Sequence, residues 1–285
     1  MSQFADYESA SENYDHGRRA AGADVIVGMM QVHLKKDIKD IDVLDAGCGT
    51  GNYSAAILKH GVRKLSMMDA SKGMLTKANE KLVAMGLSSY VDVKQALLPN
   101  LPYADNTFDV VMMNQVLHHI EKNPDGENYP SIIDTFEEVN RVLKSSGLLV
   151  ITTMVKEQLP GVWYYCFNKE FLRRYSLKFP SVKAFKTMLL KSNFDVVNSL
   201  SVLGHDIVPN YTNLEGPLNK SDRDSESYWD VASKQELLET LNTVHCMKEM
   251  GTLQRFYEEH DKTDEQGYFA IIIARKQDIS QIEKL

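Results

Sequence analysis

The chain has 285 residues, of which 43% are hydrophobic and 25% are charged, and its formal net charge is -7. This is the composition of an ordinary globular protein large enough to bury a substantial core. The acidic balance disfavours nucleic acid and an anionic membrane surface as partners. No apolar run approaches the length of a membrane-spanning helix, and the N-terminus has no signal-peptide pattern. Three widely spaced cysteines fit neither a disulfide framework nor a structural zinc site, so we expect a cytoplasmic protein without a metal.

From about residue 41, the sequence alternates between strand-like and helix-like patterns. Strands are predicted at residues 41–45, 64–69, 90–95, 108–114 and 147–154, with helical patterns between them. This alternation predicts right-handed crossovers and therefore an α/β fold with a parallel, doubly wound sheet. Phe194–Leu203 and Tyr268–Arg275 are two further β-rich runs, and a long insertion separates them.

Three segments lie outside the predicted core. Residues 1–36 begin polar and then read as a helix from about Arg18 to Leu34, and residues 155–180 are rich in aromatic side chains. Residues 204–264 contain turn signals, an acidic stretch and an amphipathic helix near Ser233–Met250. Ligands of open α/β sheets bind beyond the carboxyl ends of the strands. We therefore predict a core of residues 37–203 and 265–277, including the aromatic segment 155–180, with 1–36 as an N-terminal lid segment and 204–264 as a substrate-lid insertion.

A loop with three alternate glycines follows the first predicted strand and precedes a helical pattern that starts at Tyr53. Gly47, Gly49 and Gly51 can adopt backbone conformations closed to residues with a Cβ, and they let a ligand lie against the main chain. Their spacing differs from the G-x-G-x-x-G of dinucleotide-binding folds, and the chain has no G-x-x-x-x-G-K-[ST]. The loop therefore indicates a nucleoside site of another kind.

An acidic residue ends the second predicted strand, about twenty residues beyond the glycine loop. The carboxylate of Asp69 can accept hydrogen bonds from both hydroxyls of a ribose. Charge-assisted bonds of this kind contribute roughly 1.5 to 3 kcal/mol each. We therefore expect Asp69 to be a main determinant of affinity for the nucleoside.

Four pieces of sequence in a fixed order carry a family resemblance: Val43–Gly51, Asp69–Leu75, Leu101–Asp109 with Val116–Ile120, and Arg141–Val150. The chain resembles class I S-adenosylmethionine-dependent methyltransferases, of the broad group that includes ubiquinone and menaquinone methylases. The resemblance is good over residues 40 to 155 and poor in the flanks. It implies S-adenosyl-L-methionine as the cofactor and a Rossmann-like, doubly wound sheet of seven strands whose last strand is antiparallel.

The resemblance and the residue chemistry together give a set of predicted cofactor-binding residues. Arg19 belongs to an aromatic and basic cluster that begins at Tyr14, and it would meet the cofactor carboxylate; the competing interpretation is a solvated helix start. Gln95 stands where relatives often place an acidic residue beside adenine, and the alternative is an exposed strand end. Met74 borders the adenosine or belongs to the core. The full set is Tyr14, Arg19, Asp45, Gly47, Gly49, Gly51, Asp69, Ala70, Met74, Gln95, Ala96 and Asn114.

Polar residues follow the fourth predicted strand, where the transferred methyl group would emerge. Asn114 and Gln115 lack the two following prolines that amino methylases of DNA carry here, which argues against a nucleobase acceptor. His118 and His119 are weak candidates for a general base, since imidazole titrates near neutrality. Adjacent residues on a helix point about a hundred degrees apart, so we expect only one of them to face the site. A structural, hydrogen-bonded histidine is the competing interpretation.

Aromatic residues in the flanks supply the predicted substrate-binding side chains. Aromatic walls hold planar substrates or cations, but they also anchor a lid helix to the core. An acidic and aromatic lining near Glu226 would suit an amine, or the charged run is a solvated loop. The predicted substrate-binding residues are Gln115, Trp163, Tyr164, Tyr211, Tyr228 and Trp229.

The sequence therefore predicts S-adenosylmethionine-dependent methyl transfer to a small-molecule acceptor by direct in-line displacement. The acceptor atom and the oligomeric state stay open. Two alternatives share the cofactor: a methyltransferase that acts on a macromolecule, and a catalytically inactive S-adenosylmethionine-binding regulator. A nicotinamide-dependent oxidoreductase is disfavoured by the glycine spacing.

Overall fold

Seven strands form one mixed sheet in the computed structural model, which describes residues 19–202 and 209–278. The strands lie in the order β3-β2-β1-β4-β5-β7-β6. Their bounds are β1 Asp42–Ala46, β2 Lys64–Asp69, β3 Val91–Gln95, β4 Phe108–Asn114, β5 Leu143–Thr153, β6 Phe194–Val202 and β7 Phe269–Lys276. The predicted seven-stranded, doubly wound fold is confirmed.

The first five strands pair in parallel, whereas β7 runs antiparallel to both β5 and β6. The antiparallel last strand is therefore also confirmed. Strand β5 begins four residues earlier than predicted, because Leu143 pairs with Phe108 before the register shifts and the regular ladder resumes at Val110 and Leu148. The intervening Ser-Ser-Gly resembles a turn in the sequence, which explains the late predicted start.

Helices cover both faces of the sheet and form most of the long insertion. The first described helix begins at Ala23, after Gly22 in a left-handed conformation, and the insertion helix predicted near Ser233 is capped by that serine and Glu236. No described helix combines the length and apolar character needed to cross a membrane. The α-helices are α1 Ala23–Leu34, α2 Asn52–Leu58, α3 Lys72–Ala84, α4 Pro130–Val142, α5 Lys169–Ser176, α6 Val182–Lys191, α7 Pro209–Thr212, α8 Lys220–Asp224, α9 Lys234–Glu249, α10 Leu253–His260 and α11 Thr263–Gln266.

The two faces of the sheet bury separate apolar clusters, as the central strand β4 shows. Val111 and Met113 pack on one face against α4 and α6, while Val110 and Met112 pack on the other face against α1 and α2. All four side chains are fully buried. Because successive strand residues point to opposite faces, a strand covered on both sides must be apolar throughout.

A third cluster is rich in aromatic rings, most of which come from residues 155–180 and the long insertion. Tyr228 lies at its centre, fully buried, with its ring centroid 4.1 Å from that of Phe171 and 4.0 Å from that of Tyr165. Its hydroxyl donates to the main-chain oxygen of Tyr165. The cluster joins the insertion to the aromatic segment that follows β5.

We expect Tyr228→Ala to lower the free energy of unfolding by about 3 to 5 kcal/mol, because it removes a large buried ring and leaves a cavity. Urea denaturation followed by circular dichroism measures this change. Leu238→Ala is the control, since that side chain is 54% exposed and its truncation should change stability little. Equal effects of the two substitutions would contradict the central packing role of Tyr228.

Candidate active site

A cavity of about 750 Å³ opens at the carboxyl ends of β1, β2 and β4. Strand order reverses between β1 and β4, which is where open α/β sheets place their ligands. One end of the cavity is formed by the glycine loop and the end of β2. The other end is formed by the residues after β4 and by aromatic side chains from the flanking segments.

The glycine loop turns sharply between β1 and α2. The main-chain nitrogens of Gly47 and Cys48 both donate to the carbonyl of Met68, at 2.7 and 3.0 Å, which holds the loop against β2. Gly47 and Gly51 have φ values of 80° and 77°, in the region that favours glycine. A Cβ on Gly47 would lie 2.5 Å from a methyl carbon of Val116, so the loop can approach the residues after β4 only without a side chain.

Gly47→Ala is expected to raise the dissociation constant for S-adenosylhomocysteine by more than about tenfold, because it combines backbone strain with a steric clash against Val116. Isothermal titration calorimetry measures the change. Gly61→Ala is the matched control, since Gly61 has a φ of 84° but open space where a Cβ would stand. Gly61→Ala therefore introduces backbone strain but no steric clash. A comparable loss of affinity in both variants would contradict the importance of the close approach between Gly47 and Val116.

Asp69 connects the glycine loop to the end of β2. One carboxylate oxygen accepts from the main-chain nitrogen of Gly49 at 2.9 Å, and the other accepts from that of Ser71 at 2.9 Å. Burial raises the pKa of Asp69, although these main-chain donors oppose the shift. Each carboxylate oxygen keeps a lone pair for a further donor, so the group can accept ribose hydroxyls while it still holds the loop.

Asp45 is fully buried beneath the other side of the loop. Its carboxylate accepts from the hydroxyl of Ser54 at 2.7 Å and from the amide nitrogen of Asn114 at 3.3 Å. Burial raises its pKa to about 6 despite these bonds. Its charge is thus poorly compensated by the protein groups around it.

The residues at this end of the cavity fit S-adenosylmethionine. Within the described part of the chain, the amide oxygen of Asn114 is buried and has no hydrogen-bond partner, and Asn114 borders the cavity. An acceptor oxygen beside the undercompensated carboxylate of Asp45 suits an ammonium group, and Asp69 suits a ribose. Arg19 also borders the cavity and offers a guanidinium for a carboxylate.

The chain is similar to known methyltransferases. Residues 44–151 match the family model described as a methyltransferase domain. The chain is 33% identical over 122 residues to the uncharacterized methyltransferase YodH of Bacillus subtilis, a match that covers 42% of this chain and 47% of the relative. It is 32% identical over 133 residues to a demethylmenaquinone methyltransferase of Desulfitobacterium hafniense, which covers 45% of this chain and 49% of the relative. Residues 44–151 are therefore similar to the methyltransferase domain of these relatives, which supports the class I S-adenosylmethionine-dependent resemblance that the sequence motifs carry.

The chain spans about half the length of these curated relatives. The sequence matches therefore do not describe the segments on either side of the matched region. A solved structure of a putative methyltransferase from an antibiotic biosynthesis pathway of Anabaena variabilis aligns with a TM-score of 0.69 at 19% identity. That alignment covers 89% of this chain and 97% of the other, and it supports the fold over most of the length.

Most of the predicted cofactor residues border the cavity. Gly51 does not border it; a Cβ there would point at Ala78, so this glycine permits the packing of α2 against α3. Gln95 is exposed and donates its amide to the carbonyl of Ala70 at 3.0 Å, which agrees with the strand-end interpretation. Tyr14 lies outside the described residues. Those at the cavity are Arg19, Asp45, Gly47, Gly49, Asp69, Ala70, Met74, Ala96 and Asn114.

Both histidines after β4 border the cavity, contrary to the expectation that only one faces it. His118 and His119 lie in a single 3-10 turn, Leu117–His119, and their ring centroids are 3.8 Å apart. The two rings are tilted against each other, and both border the same cavity. Phe179 stacks on His118 at 5.0 Å, so packing fixes the ring of this histidine.

Two predicted substrate residues border the cavity, Gln115 and Tyr211, and the other four do not. Trp163 and Tyr228 are fully buried in the aromatic cluster, which is the packing interpretation of these rings. Tyr164 and Trp229 border a small separate crevice that also touches Glu226. An aromatic-rich sequence does not distinguish a ring that lines a cavity from one that packs behind it.

The structure adds cavity residues that the sequence analysis did not single out as site residues. These additions include Lys122, Asp134, Met154, Tyr165, Tyr175, Phe179, Glu226, Ser227 and Phe269. Within the described chain, four carboxylate side chains border the cavity (Asp45, Asp69, Asp134 and Glu226), together with one arginine and one lysine (Arg19 and Lys122). The aromatic composition of residues 155–180 and the acidic and aromatic composition near Glu226 were the sequence signals for this wall.

Proposed function

We propose that the protein transfers a methyl group from S-adenosylmethionine to a small-molecule acceptor by direct in-line displacement. One observation carries this proposal: a single cavity joins the glycine loop and Asp69 to a wall of partly and fully buried side chains beyond β4. A small acceptor could lie in the same enclosed space as the methyl donor. A polymer would need an open groove at that wall.

In this scheme, the residues of the chain bind the methyl donor and orient it toward the acceptor. Bound S-adenosylmethionine would supply a methyl group already activated by a sulfonium. Asp69, Asp45 and Asn114 hold the two ends of the donor, and the residues after β4 align the acceptor. Such positioning supplies roughly 7 to 11 kcal/mol in favourable cases, so a dedicated catalytic acid or base is needed only if the acceptor arrives protonated.

The aromatic segment 155–180 and the insertion 204–264 act as the lid of this site in our proposal. Tyr165 and Tyr175 come from the first segment, and Tyr211 and Glu226 come from the second, and all four border the cavity. Their packing around the acceptor excludes water from the nucleophile. The N-terminal segment contributes Arg19 to the lining of the cavity.

The test uses the purified protein with methyl-labelled S-adenosylmethionine and a small-metabolite fraction. We expect labelled products of low molecular mass, and their formation should fall more than about tenfold in Asp69→Ala through weaker donor binding. Binding of S-adenosylhomocysteine without transfer to any metabolite would support the inactive regulator instead. Transfer only to protein or nucleic acid in an unfractionated extract would support the macromolecular alternative.

A further inference from the structure

The acceptor side of the cavity places one carboxylate at the end of a series of aromatic rings. Glu226 borders the cavity together with Tyr165, Tyr175 and Phe179. The carboxylate comes from the loop after α8, and the rings come from the segment after β5. Two segments that are distant in sequence therefore meet at this wall.

A buried phenol anchors the carboxylate of Glu226. The hydroxyl of Tyr164 donates to both carboxylate oxygens, at 2.7 and 2.8 Å. Burial, and then the negative charge of Glu226, raise the pKa of Tyr164 well above its ordinary value, so the phenol keeps its proton and stays a donor. The adjacent Ser227 is hydrogen-bonded to the hydroxyl of Tyr175 at 3.2 Å. The carboxylate is thus held by Tyr164, and the residue next to it in the chain is held by Tyr175.

Successive ring contacts connect this anchor to the residues after β4. The ring centroid of Tyr165 is 4.9 Å from that of Tyr164 and 5.5 Å from that of Tyr175, and Tyr175 lies 4.9 Å from Phe179. Phe179 in turn stacks on His118. Aromatic faces attract cations, and the attraction grows when water is excluded. The wall therefore combines two features that favour a positive charge.

We propose that the acceptor is an amine whose nitrogen is held between the Glu226 carboxylate and this aromatic wall. The inference rests on the proposed methyl transfer. An incoming ammonium first loses its proton to solvent; the nitrogen lone pair then forms the new N–C bond as the S–C bond breaks, and that electron pair stays on sulfur. Positive charge passes from sulfur to nitrogen, so a carboxylate at the acceptor stabilises the transition state more than the reactants.

A neutral acceptor fits this wall less well. An uncharged quinone or hydrocarbon would gain no electrostatic attraction from the carboxylate of Glu226. An acidic acceptor would add repulsion from a second negative charge. The excess of carboxylate side chains over lysine and arginine side chains around the cavity acts in the same direction.

Choline and its uncharged isostere 3,3-dimethylbutan-1-ol test the proposal, because they share their shape and differ in charge. Their binding is measured by calorimetry with S-adenosylhomocysteine present, in the wild type, in Glu226→Gln and in the charge-matched control Asp224→Asn. Asp224 lies in α8, pairs with Lys220 and does not border the cavity. We expect the wild type and the control to prefer choline by at least about tenfold, and Glu226→Gln to lose most of that preference.

Transfer from labelled S-adenosylmethionine to 2-dimethylaminoethanol gives a second readout, for which we expect Glu226→Gln to lower kcat/KM by at least about tenfold. Affinity for S-adenosylhomocysteine should be equal within about twofold in all three proteins, which also shows that each is folded. Equal binding of choline and its isostere by the wild type, or an unchanged preference in Glu226→Gln, would overturn the amine proposal alone. Failure of the wild type to bind S-adenosylhomocysteine would instead overturn the proposed function.

Discussion

Asp69→Ala is expected to raise the dissociation constant for S-adenosylhomocysteine by well over tenfold. Two effects combine in this variant. The ribose loses a charged acceptor, worth roughly 1.5 to 3 kcal/mol per hydrogen bond. The main-chain nitrogens of Gly49 and Ser71 also lose the carboxylate to which they donate, so the glycine loop is held less firmly.

Asp69→Asn separates the two effects because it keeps the shape and one acceptor oxygen while it removes the charge. Its amide nitrogen cannot accept, so we expect binding weaker than in the wild type and tighter than in the alanine variant. Calorimetry gives the affinities, and thermal unfolding without ligand reports how far the loop itself is destabilised. A dissociation constant in Asp69→Ala equal to that of the wild type would refute the assignment of this carboxylate to the cofactor.

The donor end of the site was predictable because its requirements are local in sequence. A turn that brings the main chain close to Val116 needs a glycine at position 47, and an acid that ends β2 must lie beside that turn. Both requirements appear as short motifs whose chemistry is readable without coordinates. The alternation of strands and helices is similarly local, which is why all seven strands were located from the pattern.

The acceptor end was not predictable to the same degree, because it depends on contacts between distant segments. Tyr164 and Tyr165 are adjacent in sequence, yet Tyr165 borders the cavity and Tyr164 lies behind it as the anchor of Glu226. Nothing in an aromatic run specifies which ring faces a ligand. The pairing of Tyr164 with Glu226, 62 residues away, follows only from the fold of the insertion.

Asp45→Asn is expected to stabilise the ligand-free protein near pH 7.5 while it weakens cofactor binding. Burial raises the pKa of Asp45 from 3.8 to about 6, so the folded protein binds a proton more tightly than the unfolded chain does. Stability is therefore lost as the pH rises from about 4 through 6, and the ionised carboxylate costs about 3 kcal/mol above pH 7. Asparagine does not ionise, and its carbonyl oxygen can still accept a hydrogen bond from Ser54 or Asn114.

Urea denaturation at pH 7.5 and at pH 4.5 measures the stability effect. We expect the variant to exceed the wild type in free energy of unfolding at the higher pH, and the difference to shrink at the lower pH, where Asp45 is protonated in the folded state. The negative charge of the neighbouring Asp69 also raises the pKa of Asp45, so the variant additionally removes the repulsion between the two carboxylates. A variant that is less stable at pH 7.5 would show that the charge of Asp45 is well compensated in the ligand-free fold.

Cofactor affinity should change in the opposite direction. The ammonium of S-adenosylhomocysteine would compensate the buried charge of Asp45, so we expect Asp45→Asn to bind this ligand about tenfold more weakly or worse. In the wild type, binding should weaken as the pH falls below about 6, because Asp45 becomes protonated. Binding at pH 6 should also release protons from the wild type, because the ligand lowers the pKa of Asp45, and calorimetry in buffers of different ionisation enthalpy measures that release. A variant that binds as tightly as the wild type and releases as many protons would refute this role. Burial therefore has two effects on the ionised carboxylate of Asp45. It lowers the stability of the ligand-free protein, and it strengthens the attraction between the carboxylate and the ammonium of the bound cofactor.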